Sequence, residues 1–547
     1  MPQTAKSHLR AANRHRIAFE ISLVVLGVIA VVGLLGALGD RPPCCGPLFT
    51  GWFVPTVLAV LTLVGISFLA AADRLRPELV AVFALLLALA VVGTELRQKY
   101  PAWTGHTFRA GFEAFHRQNF NQTESLLMAN NVRKGLGDTL PVSGAMPKID
   151  TYRMPGYAVF VALAGDAFRA PYDNLMALGR SAVYAQVWLF ALALAVFACH
   201  ASRVVGTGKA ATMAAAAAWF PHSLDMTQGD STIVACGLLI TAALCALREK
   251  DLAAGAASVK QHVALHAAFA LWFLMRSDIL VAWLGVSVYL YRARARWLLL
   301  PLCMYLLLGL SWGLYKKAHG SDVVMSTSNV GHVAFVGLWQ TPSHRFIWEP
   351  TDESYVKWIE RNGYRYMDPK ADRFATREVV RFWLTYPVFA ATGVAYKLYS
   401  YCRYGAWAGS LALYPSRALG VIMRSIGWWC LLAGFALAVL MRYELKTVLL
   451  FGWPILLNLP IFVVLQYHAR FLDFASCSLM FSAVVFGLDS GFYRRIGRSR
   501  MPLVAVLSVA IMLLASLGIA RILPSDRFRY WTPLLDPAKS TLNVWRR

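Results

Sequence analysis

A nearly all-α protein that crosses a membrane many times is the fold class this sequence predicts, and three observations predict it. Hydrophobic residues fill 58% of the 547 positions, and the mean hydropathy is positive. Apolar runs repeatedly approach or exceed the roughly 18–20 residues that cross a hydrocarbon core of about 30 Å. Basic residues gather in clusters between those runs. Lipid offers a backbone amide no partner, so each run must close its own hydrogen bonds and is expected to be a helix.

The elements follow in order. The tail 1–16 carries Lys6, Arg10, Arg14 and Arg16, and basic residues mark the cytoplasmic side. It leads directly into a full span, which reads against a cleavable signal. Three spans fill 17–94, built on runs at 17–38, 52–72 and 79–93. A polar stretch, 95–177, forms a first external loop. Six spans follow over 178–315, with clear runs at 182–199, 232–247 and 297–314. The other three come from charge: Lys209 to Arg248 must go out and return, turning near 221–230, and Lys250 to Arg292 likewise, turning at Arg276-Ser277-Asp278. A second large external loop covers 316–419. Four spans occupy 420–522, with runs at 427–441, 448–465 and 503–523, and a tail covers 523–547. The expected total is about thirteen transmembrane helices, with amphipathic juxtamembrane helices in the two loops.

Seven basic clusters agree on one orientation. After the N-terminus they are Arg74/Arg76, Arg203/Lys209, Arg248/Lys250, Arg292/Arg294/Arg296, Arg442/Lys446 and Arg494/Arg495/Arg498/Arg500. The C-terminal arginines run against the pattern. The formal charge of +24 is thereby explained by sidedness, and nucleic acid is not an expected partner. The cysteines show no zinc or iron–sulfur spacing, and most sit in or beside spans as small packing residues. No Walker or Rossmann glycine loop is present. Nor is an inverted repeat with interrupted charged helices evident, which argues against a transporter.

The topology puts five polar features on the non-cytoplasmic face: the first loop, the turn at Asp230, the turn at Arg276, the second loop, and Tyr467-His468-Ala469-Arg470. In the first loop, Asn121 to Gly135 reads as a short amphipathic helix closed by glycine. Thr151-Tyr152-Arg153-Met154-Pro155-Gly156-Tyr157 then opens a segment, 155–168, too short to cross and suited to lie along the interface.

This order of motifs resembles the glycosyltransferase C superfamily, membrane enzymes that use polyprenyl-phosphate sugars and include protein mannosyltransferases and aminoarabinose transferases. The likeness covers roughly 95–490. In that family an acidic residue opens the loop helix, an alanine follows eight residues later, and an Arg-Pro-Gly-Tyr-like segment begins the next helix. Ala129, Gly135 and Arg153 to Tyr157 match. Asp230, Arg276-Ser277, the stretch His332 to Trp339, Tyr386-Pro387 and His468-Ala469-Arg470 match in turn. One departure stands out: Asn121 occupies the acidic position, and an amide cannot take a proton as a base.

The resemblance implies a sugar transferred from a lipid-linked donor to an envelope lipid, glycan or protein at the membrane surface. A carboxylate would accept the proton of the attacking acceptor group. Glu124, on the same helical face as Asn121, and Asp230 are the catalytic candidates. Arg153, Arg276, His468 and Arg470 are the candidates to bind the departing phosphate, for which arginine offers a bidentate fork. Tyr152, Tyr157, His332 and Trp339 are weaker candidates for acceptor or sugar contact. The plainer alternatives stand beside these: interfacial arginines snorkel to lipid phosphates, Asp230 caps its helix, and the aromatics of the second loop, among them Tyr355, Trp358 and Tyr364, form an interfacial belt. No metal ligands are expected. No cofactor is predicted, with a divalent cation left open because some relatives use one. Alanine, arginine and leucine usage suits a bacterial inner membrane with a periplasmic site. The competing functional readings are a surface-polysaccharide polymerase or ligase and, behind it, a lipid-linked-sugar flippase.

Overall fold

The computed structural model describes residues 3–38, 53–71, 77–99, 120–137, 139–140, 148–149, 154–219, 230–252, 257–292, 295–318, 329–338, 352–365, 368–387, 390–391, 393–394, 397, 449–455 and 473–487. Within them the protein is helical apart from one two-stranded antiparallel hairpin, β1 (Thr139–Leu140) with β2 (Lys148–Ile149), in the first loop. It is an all-α membrane protein: among the described residues, six helices are long and apolar enough to cross a bilayer.

The first three are α1 (Gln3–Leu38), α2 (Phe53–Ala71) and α3 (Pro77–Lys99). On α1, Ile17, Ile21, Val24, Val28 and Val31 are exposed at alternating steps of four and three. That is one helical stripe, and in a membrane it faces lipid. Its opposite face, with Phe19, Leu26 and Ala30, is buried. There α1 meets α3 at Gly33 and Gly93, where a Cβ on Gly33 would stand 3.1 Å from the Gly93 backbone. Small residues let helix backbones approach without a hydrophobic driving force in lipid.

The first loop contributes α4 (Phe120–Arg133) and α5 (Gly156–Ala167). As the sequence predicts, α4 is closed by glycine: Gly135 has φ +74°, and Leu136 and Gly135 donate back to the carbonyls of Asn131 and Val132. The positive φ favours glycine. Helix α5 is capped by Pro155 and is 12 residues long, about 18 Å, too short to span.

Next come α6 (Leu175–Val205), α7 (Thr207–Ala218), α8 (Asp230–Leu252), α9 (Val259–Met275), α10 (Leu280–Tyr291) and α11 (Leu299–Ala318). The place of α8 at the centre is clear from burial. Of the spanning part of α8, 83% is buried inside the protein, against 22% for the span 295–318 that includes α11. Helix α11 is therefore peripheral.

Helix α7 takes the place of the outward span that the charges require. It has 12 residues before its cap at Trp219, about 18 Å, and residues 220–229, which lead on to α8, lie outside those described. Gly206, at φ +91°, turns the chain back immediately after the 31-residue α6, so the short return helix packs against α2 and α3 inside the bundle. Helices α9 and α10 are also short, and the break between them falls at Arg276, where charge places it. The runs 427–441 and 503–523 lie outside the described residues.

The second loop supplies α12 (Val330–Leu338), α13 (Asp352–Arg361) and α14 (Pro369–Thr385), which build a small core of their own. Tyr355 is wholly buried there. Trp358 stacks between Phe335 and Phe374, and Tyr364 stacks on Phe374. These aromatics face one another, neither bare to sugar nor arrayed as a belt. The last described helix is α15 (Asp473–Gly487).

Asp372 ties this unit together. Its carboxylate, 7% exposed, accepts from the N–H groups of Gly331 at 2.7 Å and His332 at 3.4 Å, satisfying first-turn donors of α12 that its own helix leaves open. Burial raises the Asp372 pKa above its ordinary value, against the opposing pull of those N–H groups. A raised folded-state pKa favours the protonated fold. The contribution is thus full below the unfolded pKa and is lost as pH rises through the folded one. Asp372→Asn is accordingly expected to equal or exceed the wild type at neutral pH and to lose this pH dependence. Asp372→Ala should weaken the unit by about 1 kcal/mol. Limited proteolysis within 329–387 against denaturant measures both, and an Asn variant weaker than the Ala variant would refute the cap.

Candidate functional site

The two ends of the bundle are told apart by ion pairs. At one end Arg203 of α6 lies 3.9 Å from Glu78 of α3 and 3.5 Å from Glu249 of α8, so α3, α6 and α8 are level there. Counting along each helix from that level, Glu95, Gln186 and Ser231 stand 17 to 18 residues away, about 26 Å. These three residues mark the opposite end, and the polar features of the site gather around them.

A hydrogen-bonded chain crosses three helices at that end. Ser231 donates to the Gln186 side-chain carbonyl at 2.7 Å, and the Gln186 amide donates to the Tyr157 hydroxyl at 3.3 Å. Gln186 is 1% exposed and Ser231 is fully buried. Buried polar groups rarely go unpaired because each costs a few kcal/mol without a partner. The chain therefore fixes the start of α5 to α6 and to the first turn of α8, where Asp230 is the leading residue.

The start of α5 is also pressed onto the end of α9. A Cβ on Gly156 would lie 2.5 Å from the carbonyl oxygen of Leu274. Two residues further on, Arg276 leaves the helix with extended backbone, φ −155° and ψ 130°. Its guanidinium donates to Asp278 at 2.8 Å, and Trp272 Nε1 donates to the same carboxylate at 3.3 Å. Arg276 stays partly exposed, at 22% of its side chain. A cation also suits this position because a helix C-terminus carries partial negative charge. Trp272 in turn packs edge-on against Trp453 and Phe474, and Phe474 sits in the first turn of α15, four residues after Arg470 in the chain.

The first loop is held down beside this arrangement. Arg133, at the end of α4, pairs with Asp166 at 2.8 Å, donates to the Ala170 carbonyl at 2.6 Å, and lies over the Tyr172 ring. Asn130 exchanges hydrogen bonds with the Asp173 side chain and backbone. Hydrogen bonds from Lys134 and Asn130 hold the Asp173 carboxyl below its ordinary range. On the other face Ala129 is buried with Val161, Ala162, Leu178 and Ala182.

Of the residues singled out from sequence, Tyr157 and Arg276 are brought to the same end, as is Asp230 through its neighbour Ser231. Glu124 lies in α4, the helix bound to α5; the side chains of Glu124 and Asp230 fall outside the described residues. His332 is placed elsewhere, its ring stacked on Tyr355 with centroids 4.3 Å apart. Tyr152, Arg153, Trp339, His468 and Arg470 lie outside the described residues. Sequence reasoning passed over Gln186, Asp278 and Glu95. Glu95 is fully buried in α3, and its signal was available: an ionisable residue at the end of an otherwise apolar span is a site candidate by default. Among the described residues no group of three or more His, Cys, Asp or Glu side chains forms a potential metal site. Comparison with protein-family models, curated proteins and solved structures found no match.

Proposed function

We propose that this chain is a membrane glycosyltransferase that moves a sugar from a polyprenyl-phosphate carrier to an envelope lipid, glycan or protein. The observation that carries the reading is the meeting of α5, α8 and α9 at one end of the bundle, where Tyr157, Asp230 and Arg276 come from three separate stretches of sequence. In this reading there are about thirteen spans, the N-terminus is cytoplasmic, and the site opens to the periplasm of a bacterial inner membrane.

The chemistry assigns each group a task. The acceptor's hydroxyl or amine attacks the anomeric carbon as the bond from that carbon to the phosphate oxygen breaks. Its proton passes to a carboxylate, Glu124 or Asp230, and the leaving phosphate takes the electron pair. Arg276, joined by Arg153, His468 and Arg470, stabilises the charge that develops there. Asp278, itself held by Trp272, keeps the Arg276 fork in one orientation, so little entropy is lost when the phosphate arrives.

A diazirine-bearing polyprenyl phosphate, added to the full-length protein in nanodiscs and photolysed, tests donor recognition. Labelled peptides should contain the 230–237 and 274–280 stretches, with unlabelled polyprenyl phosphate competing. Uncompeted labelling spread over the lipid-facing stripe of α1 would refute it.

A further inference from the structure

The outer face of α14 is more strongly basic than any packing role requires. Ala371, Ala375, Val379 and Phe382 point into the small core, with Asp372 beside them. The other side presents Lys370, Arg373, Arg377 and Arg381, all exposed. Val380 and Leu384, exposed by 44% and 79%, share that side near its C-terminal end. At 100° per residue these six positions span only about 100° of the helix circumference. The acidic residues of α14 lie off this face: Asp372 is turned inward and Glu378 sits on the flank.

The unit that carries this face has a core separate from that of the bundle. It follows α11, which begins beside His262 at the start of α9 and runs toward the Arg276 end, where Tyr315 lies against Gly137 of the first loop. A small helical unit beside a bilayer, showing four cations and two apolar side chains on one surface, matches one partner in charge and in polarity. We propose that this face of α14 docks on the anionic headgroups of the adjacent leaflet, with Val380 and Leu384 entering the interface below them. The arginines supply attraction to lipid phosphate, and the apolar pair distinguishes a lipid surface from a soluble polyanion, which would gain nothing from Leu384. Docking holds the second-loop unit flat against the membrane next to the site. The inference rests on the face of α14 and the course of α11, and does not depend on the transferase reading.

Hydrogen–deuterium exchange on the full-length protein tests it, in nanodiscs of phosphatidylcholine alone and of phosphatidylcholine mixed with phosphatidylglycerol. Amides of 370–385 should exchange more slowly in the mixed nanodiscs, by roughly an order of magnitude, and high salt should reverse this because exposed charges are screened. Arg373→Gln/Arg377→Gln/Arg381→Gln should abolish the difference, while the triple lysine replacement keeps it. Unchanged protection at 355–359 will show that the unit remains folded in each variant. Equal exchange in the two nanodiscs overturns the proposal. Protection that appears only on adding soluble polyphosphate also overturns it, in favour of a polyanionic partner.

Discussion

Alanine at Arg276 is expected to lower sugar transfer by about two to three orders of magnitude, with the protein still inserted and folded. The guanidinium is partly exposed, stands at a helix end, and is held by Asp278 at 2.8 Å, so its removal leaves no cavity in the core. Lysine keeps the charge but loses the planar fork, so Arg276→Lys should recover only a fraction of the rate. Asp278→Asn provides the internal control. It removes the charge that orients Arg276 without touching the substrate, so its effect should be smaller and should fall on turnover more than on donor affinity. A merely structural Arg276 would instead show loss of protein from the membrane in parallel with loss of transfer.

The second large effect is structural and begins at Gly156. Any side chain there meets the Leu274 carbonyl, and a backbone oxygen cannot rotate away as a flexible side chain would. Gly156→Ala should cost about 1–3 kcal/mol by overpacking, and Gly156→Val more. The cost would be met by lifting α5 from α9, which stretches the already long Gln186–Tyr157 hydrogen bond of 3.3 Å. Thermal stability in detergent and transfer activity should therefore fall together. Tyr157→Phe should lower transfer with a much smaller stability change, because it deletes one hydrogen-bond partner and keeps the ring. A Gly156→Ala protein with wild-type melting and activity would show that α5 and α9 do not meet as described.

Much of the fold was legible because bilayer physics is strict. The apolar runs at 17–38, 52–72, 79–93, 182–199, 232–247 and 297–314 each coincide with one of the six described helices long enough to span. Arg276-Ser277-Asp278 was located as a turn from charge alone. The Gly135 closure and the short helix after Pro155 were equally readable, since both depend on local backbone preference. The exact point of the reversal at Gly206 was not, because composition does not reveal which glycine takes the positive φ. The aromatic residues of the second loop misled for a related reason. Tyr355 and Trp358 are as frequent in belts as in small cores, and only their partners on α12 and α14 decide between the two.

The site was legible in part. Tyr157, Asp230 and Arg276 could be placed on one side by sidedness, yet the hydrogen bonds through Gln186 and Ser231 that join Tyr157 to the first turn of α8 could not. A glutamine inside an apolar run and a serine beside an aspartate carry no distinctive pattern. Asp278 was visible only as part of a turn, and its hold on Arg276 depends on the extended backbone at that residue. Glu95 carried a signal of its own, an acid inside a span, and was read only as the edge of a loop.

The central claim is that Arg276 belongs to a sugar-transfer site at this end of the bundle. The most direct measurement is transfer of radiolabelled sugar from a polyprenyl-phosphate donor by purified protein in proteoliposomes, wild type beside Arg276→Ala. The account predicts transfer by the wild type and a loss of about a hundredfold or more in the variant, at equal reconstituted protein. Wild-type transfer that survives Arg276→Ala within a factor of about two would contradict it.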